Sequence, residues 1–183
     1  ISLIGDIQER IRLIDSKGYE HKAKLTILKE AARTLNYLTE NNLLQYADLE
    51  KKVEDVHSSY DRTGKELKVV EARLREVQPL IKNISNYQRL KPVYDAFQKA
   101  KDKPGFKAKH EAELVIFEAA RSTLLAMQGD EKLPSLKILQ AQQQRLLDEQ
   151  QRLYDERAKL KKEVKKIETI KSNVDTFLAP SAD

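Results

Sequence analysis

Tyr46, Leu49, Val53, Val56, Tyr60, Thr63, Leu67, Val70, Leu74, Val77, Ile81 and Ile84 follow one another in an unbroken alternation of three and four residues. Thr63 is the only one whose side chain packs weakly. A mean spacing of 3.5 keeps such a stripe facing one partner along its whole length, which is the seam of a coiled coil. This stretch therefore folds as a long helix laid against another helix.

The rest of the composition agrees. With 34% charged residues, 6% aromatics, no Trp and five Gly in 183 residues, the chain is built for long helices and has little material for a large globular core. It contains no Cys, which excludes disulfides and thiolate metal sites and fits a reducing compartment. No apolar run approaches the ~20 residues of a membrane helix, so no membrane insertion is expected. The N-terminus lacks the basic-then-apolar pattern of a secretory signal. A start at Ile-Ser-Leu-Ile without Met reads as a piece of a longer protein.

Ile4, Ile7, Ile11 and Ile14 predict a short amphipathic helix ended by Ser16-Lys17-Gly18. A second helix reads Leu25, Leu28, Ala31 or Ala32, Leu35 and Leu38 down its buried side and breaks at Asn41-Asn42. Residues 1–42 are thus a helix pair, and the first coiled-coil arm is 43–91. Pro79 is expected to kink that arm, and failure of the seam at Gln88 and Lys91 before Pro92 is expected to end or bend it. Residues 92–133 read as a helical insert. It has a short helix over 93–100, a Lys-Asp-Lys-Pro-Gly turn, and a second helix over 106–127 lined by Leu114, Phe117, Ala120 or Arg121, and Leu124. Gly129-Asp130 closes it, and Pro134 opens the second arm, 134–178, leaving a tail at 179–183.

In the second arm one heptad position holds Leu139, Leu146, Leu153, Leu160, Ile167 and Val174. The other mixes Leu136, Val164 and Leu178 with Gln143, Gln150, Arg157 and Lys171. Arms of about 44 residues, each ~65 Å at 1.5 Å per residue, predict an all-α fold. Its centre is a long antiparallel coiled-coil hairpin with a helical insert at the tip and the helix pair at the N-terminus. Residue numbers across the pair add to roughly 224 in the register that sets basic 157–171 beside acidic Asp48, Glu50, Glu54, Asp55 and Asp61. A parallel dimer through the first seam is the alternative, leaving monomer or coiled-coil dimer open.

His21, His57 and His110 lie on separate predicted helices without a metal-ligand spacing. There is no Gly-rich phosphate loop, nucleophile elbow or Ser/His/Asp constellation, so the sequence reads as non-catalytic, with no cofactor expected. The net charge of +5 admits an anionic partner, with nucleic acid the first candidate. Two groups of lysines could meet it. Lys99, Lys101, Lys103, Lys107 and Lys109 surround Pro104-Gly105-Phe106 at a turn, and Lys161, Lys162, Lys165 and Lys166 cluster on the second arm beside Arg157, Lys159 and Lys171. The latter set reads equally as a solvated face balanced by the acidic first arm.

Several phrases carry a resemblance: Ile7-Gln8, Ala31 through Leu38, Thr39 through Tyr46, and Lys171 through Leu178. Lys132 through Leu136 and the block Tyr94, Lys101, Phe106, His110-Glu111 carry it too. Across the whole chain these resemble the C-terminal region of relaxases, the mobilisation nucleases of conjugative elements in Gram-positive bacteria. The resemblance implies a parent protein that nicks DNA through a tyrosine beside a histidine-held metal and escorts the strand through a type IV secretion channel. It implies a bacterial cytoplasmic location, passage with DNA into a recipient cell, and DNA or conjugation coupling and secretion proteins as partners. The nuclease domain of such proteins is N-terminal, and the His-x-His pair is missing here, so no catalytic role passes to any tyrosine of this chain.

Overall fold

A computed structural model of the chain describes residues 2–16, 21–128 and 132–179. Among these there are six helices and no strand: α1 (Leu3–Ser16), α2 (His21–Glu40), α3 (Tyr46–Lys99), α4 (Lys103–Lys109), α5 (Glu111–Gln128) and α6 (Leu136–Leu178). The all-α expectation holds. The stops expected at Lys17-Gly18 and Gly129-Asp130, and most of the tail, lie outside the described residues. The chain clusters into two units, Ile1–Lys65 with Tyr154–Asp183, and Glu66–Leu153.

In the first unit, α1 and α2 share one core with the start of α3 and the end of α6. Leu3 and Ile7 meet Tyr37 and Leu38, Leu49 and Val56, and Ile167, Ile170 and Val174. The helix pair of 1–42 is therefore part of a four-helix core and not a free-standing element, as its short helices would require. α2 ends in a Schellman motif. Asn42 takes the left-handed φ of 54° while Leu43 N–H donates to Leu38 O at 2.8 Å and Asn42 N–H to Thr39 O at 3.1 Å. Leu43 is then buried, and Leu44 O accepts from Leu3 N–H, so α3 starts at Tyr46, later than the leucines suggest. Asp48 caps that start by accepting from Gln45 N–H at 3.0 Å.

The buried face of α2 differs from expectation. Leu25 and Leu28 are exposed, and Ala31, Thr34, Tyr37 and Leu38 are buried. The polar groups on this face find partners on α6, which makes their burial affordable. Tyr37 Oη donates to Glu163 at 2.7 Å, and Asn173 Nδ2 donates to Thr34 Oγ1 and to Glu30, each at 3.2 Å.

All twelve seam positions of α3 are buried or half-buried, as are all the heptad positions of α6. Within the first unit the two helices run antiparallel, with Tyr46 against Asp175 and His57 against Glu168. In the second unit Leu67, Val70 and Leu74 meet Leu153, and Leu80 and Ile84 meet Leu139 and Leu124. Within each unit the first seam is thus covered by the chain's own helices.

Neither proline ends α3, which continues through Pro79 and Pro92 to Lys99. The expected stop at Pro92 and the separate helix over 93–100 are corrected accordingly. Pro92 is exposed, so water can reach the backbone around the missing bond. Packing holds the turns beyond it, because Leu90 is buried and Tyr94 stacks on Phe117 at 4.6 Å between centroids. The second helix of the insert also divides. α4 ends at Lys109 with His110 as its C-cap, and α5 begins at Glu111, not at Phe106. α5 buries Leu114, Phe117, Ala120 and Leu124 along the expected line.

Candidate nucleic-acid interface

The lysines of the insert sit where α3 turns into α4. Lys99 closes α3, Lys101 lies in the link, and Lys103, Lys107 and Lys109 belong to α4. Asp102 holds this turn as an N-cap, its Oδ1 accepting from Gly105 N–H at 3.1 Å. A Cβ on Gly105 would strike the Asp102 carboxylate, which explains why the capped turn carries glycine there. All five lysines are exposed, and among the described residues none makes an ion pair.

Beneath them runs a series of rings. Phe97 lies 6.0 Å from Phe106, and Phe106 stacks on His110 at 4.4 Å. Tyr87 and Tyr94 stack on Phe117 at 5.2 and 4.6 Å. Arg121 lies 5.7 Å from the Tyr94 ring and donates to its hydroxyl at 3.2 Å. His110 Nδ1 is 3.2 Å from Glu113. Between the end of α3 and α5 lies a depression of ≈ 320 Å³ floored by Tyr94, Phe97, Leu114 and Val115, with Lys107, Glu111 and Glu118 among its lining. Sequence reading missed this groove, because its walls come from segments that no periodicity connects.

The second basic set divides in two. Lys161, Lys162, Lys165 and Lys166 are exposed on α6, with Lys166 Nζ 5.3 Å from the Tyr37 ring. Arg157 and Lys171 turn inward instead. Arg157 lies 4.0 Å from the Tyr60 ring centroid. Lys171 donates to Asp175 at 3.0 Å, and Tyr46 Oη donates to the same carboxylate at 2.6 Å. The hydrogen bond from Tyr46, then that from Lys171, holds Asp175 below the usual carboxylate range, and the same contacts push Tyr46 and Lys171 up. Among the described residues the α6 lysines form no ion pair with Asp48, Glu50, Glu54, Asp55 or Asp61, the acidic residues that the expected register sets beside them. Across the two helices His57 Nε2 lies 3.1 Å from a Glu168 carboxylate oxygen.

The two lysine sets fall in different units, and each is a surface by itself. His21 and His57 belong to one unit and His110 to the other, and among the described residues no group of three or more His, Asp or Glu is placed to hold a metal ion. No helix among them is long and apolar enough to cross a membrane. No protein-family model, curated protein or solved structure matches this chain.

Proposed function

We propose that the chain is a non-catalytic helical module that grips the phosphate backbone of DNA through the α3–α4 turn. On the resemblance of its phrases to relaxase C-terminal regions, we further propose that it serves a conjugative relaxase. There it handles DNA at the transfer origin in the bacterial cytoplasm and is carried with it, or docks the nuclease to the type IV transfer machinery. The observation that carries the DNA reading is the state of Lys99, Lys101, Lys103, Lys107 and Lys109, all exposed on a capped turn and without ion-pair partners among the described residues. Lysines already neutralised by carboxylates would release no counterions on meeting a phosphate, whereas free ones do.

The test is fluorescence anisotropy of labelled DNA against the chain at low and physiological salt. Binding that weakens steeply as salt rises supports the proposal. Absence of binding at low salt would leave a spacer or protein-docking role.

A further inference from the structure

The groove beside the lysines has a chemistry that a duplex backbone does not need. Its floor is ring and aliphatic surface from Tyr94, Phe97, Leu114 and Val115, and Val115 is 61% exposed although apolar. Lys107 lines it, and Lys101 and Lys103 belong to the same turn. Glu111 and Glu118 also line it. Glu118 lies 3.6 Å from Arg121, while Glu111 has no ion-pair partner among the described residues. Phosphates are repelled by carboxylates, so these two do not serve a backbone. A carboxylate does accept hydrogen bonds from the exocyclic amine of cytosine, whereas thymine presents a carbonyl oxygen at the same edge.

From this juxtaposition we infer that the groove takes an unstacked base of a single DNA strand. The base lies on Tyr94 and Phe97, Glu111 accepts from its amino group, and lysines of the α3–α4 turn hold the flanking phosphates. The inference rests on the DNA-binding reading above and adds strand form and base preference to it. Bases within a duplex are stacked and paired, and their faces cannot reach such a floor. A single strand offers both faces and edges.

The experiment compares oligo(dC), oligo(dT) and a duplex of equal length, about 20 nucleotides, by anisotropy at low salt. Wild-type chain is compared with Val115→Glu and Glu111→Gln. Val115 is exposed, so its replacement puts a charge on the floor without disturbing a core, and circular dichroism checks that the helices persist.

The expected result is tighter binding of oligo(dC) than of the duplex, and a preference for oligo(dC) over oligo(dT) of ~5-fold or more. Val115→Glu is expected to weaken single-strand binding ~10-fold while duplex binding stays unchanged, and Glu111→Gln to narrow the preference for dC. Equal binding of all three probes, insensitive to Val115→Glu, would overturn the groove and leave the lysine grip standing. Failure to bind any probe at low salt would overturn both.

Discussion

Arg157 reaches across from α6 to α3, where its guanidinium lies 4.0 Å from the Tyr60 ring centroid and donates to Tyr60 O at 3.2 Å. The space it fills is left by Gly64, since a Cβ there would strike Arg157 Nη1. Thr63, the weak link of the seam, is fully buried beside it and donates to the same carbonyl at 2.6 Å. Two residues that look like defects in α3 and one that looks like a defect in α6 therefore form one contact.

A double-mutant cycle tests that statement. Arg157→Ala is expected to cost about 1–2 kcal/mol, from the lost ring contact and hydrogen bond. Gly64→Ala gains up to about 1 kcal/mol of helix propensity but displaces the guanidinium, so its net effect is small. Arg157→Ala in the Gly64→Ala background should then cost less by about 0.5–1.5 kcal/mol, a coupling read from urea midpoints. Additive effects would mean that the glycine and the arginine do not share a site.

Tyr37 makes the first unit sensitive to alkali. Burial, then its hydrogen bond to Glu163, pushes the phenol well above its ordinary pKa. In the unfolded chain it titrates near ~10. Above that pH the unfolded state gives up the proton first, so the stabilisation present below it is lost as pH rises. Denaturation midpoints should fall between about pH 9 and 11 in wild type and fall less in Tyr37→Phe. Tyr46, shifted the same way by Asp175, leaves a residual decline in the variant. Identical declines in the two proteins would contradict the assignment to Tyr37.

Phe117 is the keystone of the second unit, 1% exposed and stacked against both Tyr87 and Tyr94. Phe117→Ala should cost about 3–5 kcal/mol, with Phe117→Leu milder. Hydrogen exchange is the measurement. Amides of α5 and of the last turns of α3 should lose protection in Phe117→Ala, while those of α2, in the other unit, keep theirs. Unchanged protection at α5 would count against this ring stack as the support of the turns beyond Pro92.

The seams and the line Leu114, Phe117, Ala120, Leu124 were legible because burial along a helix repeats at a fixed interval. Where reading failed, a local rule lost to a distant partner. Pro92 is a breaker by itself, and only the Tyr94–Phe117 stack, formed across the insert, shows why α3 continues. Leu25 and Leu28 outrank Thr34 and Tyr37 in apolarity, yet Asn173 and Glu163 on α6 satisfy the hydroxyls and turn that face inward. The exposed lysines of the candidate site were visible as a run. The groove beside them was not, being assembled from residues of α3, α4 and α5.

The two lysine surfaces can be separated by charge reversal. Each phosphate contact on a duplex adds about 0.9 to the slope of log affinity against log salt. A grip using four or five lysines of the α3–α4 turn therefore gives a slope near −4. Combined Lys101→Glu, Lys103→Glu, Lys107→Glu and Lys109→Glu should abolish duplex binding at physiological salt. None of these side chains is buried, so helical content should remain. The same reversal at Lys161, Lys162, Lys165 and Lys166 should leave the slope within about one contact of wild type. Those lysines are exposed on α6, in the other unit, with Lys166 Nζ 5.3 Å from the Tyr37 ring. A slope that collapses with the α6 set and survives reversal at the turn would move the binding surface to α6.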